Sequence, residues 1–196
     1  AIRRQRQMCI RDSAEGLPAT IDLELQGEIG ESDPSLAKLS FLKGLLGNIG
    51  GDPVSYVNAA RLAEQRSLDV RVITTPGEKG RSNLVRVTGD VHSLAGSLSP
   101  IDGNPRLNEV DGHRLDIRPS DDMLIVRNHD IPGMVGIVGT MVGDAGVNIS
   151  NMYIGEDADG VAAMMVISTD GLVPNNVQQA IRAVDGVQSV RAVRLG

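Results

Sequence analysis

Four residues in the last third of the chain have types and spacing suited to holding a small charged molecule. Asp130, Pro132 and Gly133 stand where a helix begins, in "NHDIPGMVGIVG", and Asn148 stands where the next strand begins, in "GVNISNMYIG". A helix N-terminus presents unpaired N–H groups and the positive end of the helix dipole, which suit a carboxylate. Gly133 lets a ligand approach the backbone. Asp130 can hold an ammonium one or two residues before the helix, and Asn148 offers both a donor and an acceptor. Together they suit a zwitterion, an amino acid. The plainer alternative is an Asp N-cap with Pro at the first helical position, and an Asn bonded to local backbone.

Positioning these groups takes a particular set of elements. "MLIVR" (123–127) reads as a short apolar strand. Met134, Ile137, Val138, Met141 and Val142 recur at helical spacing, and Gly146 ends that helix. "VNISNMYIG" alternates as a strand, and "GVAAMMVIST" follows it across the turn "EDADG". "VPNNVQQAIRAV" reads as a second helix, stopped by Asp185 and Gly186, and "VQSVRAVRL" as the last strand. The order β-α-β-β-α-β predicts a ferredoxin-like domain, with both helices on one face of an antiparallel sheet.

Ahead of it the sequence is less regular. "TIDLELQGEI" reads as a strand, "DPSLAKLSFLKGLLGNI" and "PVSYVNAARLAEQRS" as helices, and "DVRVITT", "NLVRVTGDV", "RLNEV" and "HRLDIRP" as strands between Gly-, Pro- and Ser-rich turns. The expected class is therefore α+β, with a small α+β domain over 14–120 and the ferredoxin-like domain over 121–196. Residues 1–13, "AIRRQRQMCIRDS", have neither period. "MCIRDS" resembles the translation of a transposase adapter used in DNA library preparation, so this segment is expected to be foreign and is set aside.

Composition removes several classes of function. Hydrophobic residues make up 41%, enough for packed cores, yet no run of about 18 apolar residues exists, so no membrane span is expected. Setting aside 1–13 with its net +3 takes the remainder from −6 to −9, and this acidic body without a basic stripe argues against nucleic acid. Cys9, the single cysteine, lies in the same segment, so neither a disulfide nor a thiolate site is expected. The location expected by default is cytoplasmic. His92, His113 and His129 are far apart with no carboxylate at ligand spacing, so no metal is expected. His129 borders the amino-acid site, but a surface position is the simpler expectation. "TPGEKGRSN" (75–83) lacks the phosphate-loop spacing and reads as a hairpin turn; "GLLGNIGG" (44–51) reads as a helix end.

"HDIPGMVGIVGTMVGDAGVNISNMYIG", "NNVQQAIRAVDGV" and "VRAVRL" closely resemble the ACT domain, in the version carried by D-3-phosphoglycerate dehydrogenases. "SFLKGLLGN", "VSYVNAARLAEQRS" and "VDGHRLDIRP" resemble the intervening domain of the longer members. The resemblance implies two ACT domains paired edge to edge, with L-serine at the interface as feedback inhibitor of serine synthesis. By motif, Asn128, Asp130, Ile131, Gly133 and Asn148 would bind serine; at Asn128 the resemblance leads one to expect His or Tyr. It also implies an anion or phosphate site, at positions matching Arg106 and Arg118 with His113 and Arg114 nearby. Guanidiniums on adjacent strands can grip such a group; alternatively they pair with Asp111, Asp116 and Asp121.

The enzymes of this family use NAD. No G-x-G-x-x-G occurs here, so NAD and the catalytic residues are expected in a half that is missing, and this fragment to regulate without catalysing or holding a cofactor. The expected partners are L-serine and further copies of the chain. The alternative is a ligand-independent oligomerisation module. A small ferredoxin-like hydrolase would need an anion-gripping Arg in the first loop, where "NHDIPG" supplies an acid instead.

Overall fold

The computed structural model describes residues 18–31, 33–47, 53–76, 83–156 and 162–194. The adapter-like segment, most of the turns at 75–83 and 156–161, and residues 48–51 lie outside them. The chain divides into two units, the first ending at Asp111 and the second beginning at Gly112.

The first unit contains β1 (Thr20–Gln26), α1 (Glu28–Glu31), α2 (Pro34–Leu46), α3 (Ala59–Gln65), β2 (Asp69–Thr75), β3 (Leu84–Thr88), β4 (Ser93–Leu98) and β5 (Pro105–Val110). Its strands lie in the order β2-β1-β3-β4-β5. β1 and β2 are parallel, so the chain between them must cross over, and α2 and α3 lie in that crossover. One side of the strands and helices closes on Leu23, Leu25, Phe41, Leu42, Leu45 and Val85.

The helix starting at "DP" begins as expected. Pro34 opens it and Asp33 Oδ1 accepts the Ser35 N–H at 2.9 Å. Asp33→Ala is expected to lower the stability of this unit by about 1 kcal/mol, read as a lower urea midpoint at unchanged slope, with Asp33→Asn close to wild type.

Two expectations are corrected here. The helix in "PVSYVNAARLAEQRS" is shorter, because Ser55 and Asn58 hold the preceding chain in a turn of their own. Asn58 Oδ1 accepts the Ser55 N–H at 2.7 Å, and its Nδ2 donates to the Pro53 carbonyl at 2.9 Å. Conversely "SLAGSL" is a strand, β4, where Ser and Gly read as turn. Small residues let it lie between β3 and β5, with a bulge at Ala95 and Gly96.

The second unit contains β6 (His113–Ile117), β7 (Asp122–His129), α4 (Met134–Asp144), β8 (Ile149–Glu156), β9 (Ala162–Thr169), α5 (Asn175–Arg182) and β10 (Val187–Arg194). From β7 onward this is the ferredoxin-like order, in a four-stranded sheet β10-β7-β9-β8 with antiparallel neighbours. Leu124, Val126, Met165, Ile167 and Val190 meet Met134, Val138, Val142 and Ile181 of the helices. The opposite face is buried as well, at Met123, Met164, Val166 and Val193, so β9 is buried along its whole length. Arg194 closes the sheet's lower end with two bonds to Asp122, at 2.7 and 3.1 Å. That carboxylate, through its hydrogen bond and then its charge, raises the Arg194 pKa further.

Candidate functional site

The candidate site begins where β7 ends. Asn128 is 2% exposed, on the helix-facing side of the sheet with Leu124 and Val126. Its Nδ2 donates to the His129 carbonyl at 2.6 Å, which leaves Oδ1 buried with no hydrogen-bond partner. A buried acceptor left unmade is costly and so points to a donor that arrives from elsewhere. His129 itself is exposed. Its N–H donates to the Gly186 carbonyl at 2.8 Å, and its carbonyl also accepts the Ile131 N–H at 2.9 Å.

The next residues correct the expected helix start. Gly133, not Asp130, is the N-cap of α4, and Pro132 stands one residue outside rather than at the first helical position. Gly133 has φ +91°, and a Cβ there would meet nothing within 4 Å, so backbone conformation alone explains the glycine. No side chain caps α4. Its Met134 N–H reaches the Ile131 carbonyl at 3.5 Å, and the amides that follow in the first turn, with the positive dipole end, remain available to an anion. Asp130 is exposed and makes no hydrogen bond or ion pair among the described residues. The sequence therefore puts a carboxylate beside an open helix N-terminus without letting it close that terminus.

Asn148 lies elsewhere. It precedes β8, and Asp170 fixes its backbone: the Asn148 N–H donates to Asp170 Oδ1 at 2.9 Å and the Asp170 N–H to the Asn148 carbonyl at 3.1 Å. Its side chain is exposed and makes no bond among the described residues. The strand registers fix the separation. His129 pairs with Ala162 at one end of β9, and Ile149 pairs with Thr169 at the other. Asp130 and Asn148 of one chain thus lie at opposite ends of the sheet, roughly 20 Å apart at the rise of a strand.

β8 is an edge strand of the four-stranded sheet, α4 packs beside it, and Val135, Ile137 and Ile154 are all more than 40% exposed.

Of the second predicted cluster, His113 turns away from Arg114 and Arg118. Strand alternation in β6 buries His113, Leu115 and Ile117 and exposes Arg114 and Asp116, with Arg118 exposed beyond it. Arg106 is half-buried in β5 of the first unit, opposite Ser97. Arg106, His113 and Arg118 already interact with other groups. Asp111 holds His92 at 3.0 Å and the Ser93 N–H at 2.9 Å. Among the described residues no group of His, Cys, Asp and Glu could hold a metal, and no helix is long and apolar enough to cross a membrane.

Two residues that bear on the site carried no ligand signal in the sequence. Asp170 reaches Asn148 across β8 and β9, a contact with no local pattern. Gly186 read only as a helix stop, yet its carbonyl holds His129.

Known proteins resemble this chain along most of its length. The model of the D-3-phosphoglycerate dehydrogenase intervening domain matches residues 13–111, and that of the ACT domain residues 123–186. The D-3-phosphoglycerate dehydrogenase of Mycobacterium leprae is 32% identical over 93% of this chain and 35% of its own length. That of Methanocaldococcus jannaschii is 30% identical over 92% of this chain and 35% of its own. That of Bacillus subtilis is 26% identical over 89% and 34%. The chain therefore spans about a third of the length of these relatives.

Proposed function

We propose that this chain, which belongs to the D-3-phosphoglycerate dehydrogenase family and carries its intervening and ACT domains, is the part of such an enzyme that senses L-serine. Serine is bound where the ACT units of two copies meet. One copy supplies the open N-terminus of α4 for the carboxylate and Asp130 for the ammonium; the other supplies Asn148. The observation that carries the reading is the free Asp130 carboxylate beside a helix N-terminus that no side chain caps.

The separation of Asp130 from Asn148 favours two copies over one. A molecule the size of serine cannot touch both ends of a sheet. An antiparallel pairing of two β8 edges about a twofold axis reverses one sheet against the other, and so sets the start of one β8 beside the α4 N-terminus of its mate. The exposed apolar groups on α4 and β8 suit such a pairing. Serine would regulate the distant catalytic, NAD-binding part of the enzyme, in the cytoplasm, by binding one arrangement of subunits more tightly than another.

The experiment is isothermal titration of the full chain with L-serine, with glycine and D-serine as controls. Selective heat from L-serine supports the reading, and its absence sinks it. The outer edge of β8, which no strand of the sheet pairs, also favours a second reading, assembly through the ACT units without a ligand. Serine-independent dimers in sedimentation, together with a silent titration, would select that one.

A further inference from the structure

We propose that Gly186, in the turn between α5 and β10, is a positioning residue for the loop 129–133; the inference rests on that loop being the amino-acid site. Gly186 has φ +89°, and its carbonyl accepts the His129 N–H at 2.8 Å. The carbonyl of His129 is held in turn by Asn128 Nδ2 at 2.6 Å and by the Ile131 N–H at 2.9 Å. The loop therefore pivots on one residue, His129, its N–H gripped from the turn before β10 and its carbonyl from Asn128 of β7.

The bare Cα of Gly186 completes the grip. A Cβ there would stand 3.0 Å from Ile131 Cδ1 and 3.3 Å from Met134 Cε. These two side chains bracket Pro132 and Gly133, one just before the ligand turn and one opening α4. Both rest over the space where a side chain would be. Neither contact is needed to hold the sheet, because Val187 pairs with Asn128 beyond a bulge and β7 has its own ladder to β9. Filling the space pushes the tips of the Ile131 and Met134 side chains by a few tenths of an ångström, and Ile131 is joined by one peptide bond to Asp130. A ligand site loses function at displacements of about 0.5 Å. The turn after α5 thus sets where the Asp130 carboxylate points.

The test separates contact from backbone strain. Asn tolerates positive φ better than other side chains while still carrying a Cβ. Gly186→Asn is expected to lower L-serine affinity on the order of tenfold, a coupling usual for residues in contact. It is also expected to speed amide exchange at His129 by a similar factor, with exchange in the β7–β9 ladder unchanged. Ile131→Val removes Cδ1, so the double variant is expected to recover most of the protection lost at His129, and its serine affinity to come close to that of Ile131→Val alone. Amide exchange needs no ligand, so if the unaltered chain ignores serine, the serine reading fails while the positioning role is still decided at His129. Gly186→Asn with affinity and His129 exchange as in the unaltered chain overturns the proposal. So does a double variant no better than Gly186→Asn alone. If Gly186→Asn does not fold, recovery of folding by Ile131→Val supports the contact and continued failure overturns it.

Discussion

Asp130→Ala is expected to weaken L-serine binding by about a hundredfold while leaving the chain as stable as before. The two halves of that result come from the same observation. Asp130 is exposed and makes no bond among the described residues, so its removal breaks nothing that holds the fold; surface changes of this kind stay within about 0.5 kcal/mol. The ligand loses the only anionic partner its ammonium has in the proposed site. How much that costs depends on enclosure. An ion pair open to water is worth about 0.2–1 kcal/mol, a few-fold in affinity. Truncating one partner of a charge pair that is shut away from water costs about 2–5 kcal/mol, which is where a hundredfold lies. Alone, the chain leaves Asp130 open, so a hundredfold loss requires that a second copy cover it. Asp130→Asn keeps an acceptor and drops the charge, and is expected to fall between. Titration with L-serine, with a urea curve run beside it, reads both halves. Serine affinity unchanged by Asp130→Ala removes this residue from the site.

The ferredoxin-like unit was legible because each of its elements carries its own period and its own stop. The helix from Met134 buries residues at i, i+4 and i+8, and Gly146 ends it, although Ile137, which the spacing put on the same face, is 44% exposed because it lies off to one side of that stripe. The first unit was less legible for physical reasons. Strand β4 carries no alternation, since Ala95 and Gly96 are chosen for what lies beside them. The turn at Ser55 and Asn58 exchanges side-chain bonds that a helical pattern does not reveal.

At the site, the residues were readable and their arrangement was not. The "DIPG" string points to a helix start, but which residue caps it depends on Gly133 adopting a left-handed conformation. Asp130 is free because Gly133 has taken the capping position. Nor can a linear motif state that Asp130 and Asn148 end up apart. That follows from the register of β9 against both its neighbours. The arginine cluster near 106–118 shows the converse. The resemblance implied a common site, and strand alternation turns His113 away from Arg114.

The separation of Asp130 from Asn148 gives the other large effect, the rescue of binding by mixing two weakened variants. Asp130→Ala and Asn148→Ala chains are each expected to bind serine far more weakly than the unaltered chain, by about a hundredfold for Asp130→Ala. In a twofold pair of Asp130→Ala chains neither site has its carboxylate, and in a pair of Asn148→Ala chains neither has its amide. Unfold the two together and refold them at equal amounts, and about half the pairs contain one chain of each kind. In such a pair one site takes Asp130 and Asn148 from the two unaltered positions and is whole, while the other lacks both. Roughly a quarter of all sites should then bind at the unaltered affinity. The recovered fraction, and not the affinity, carries the information: a site spread over two chains gives that quarter, and a site within one chain gives none, because no chain in the mixture keeps both residues. Asn148 has little effect on the fold by itself, since Asp170 holds its backbone rather than its side chain, so failure to recover cannot be blamed on a damaged strand. A quarter recovered at full affinity would place the ligand between two copies of the chain. No recovery would overturn a site shared between two copies, whereas serine affinity unchanged by Asn148→Ala alone would return Asn148 to an ordinary strand start and leave Asp130 and the helix N-terminus to hold the ligand without it.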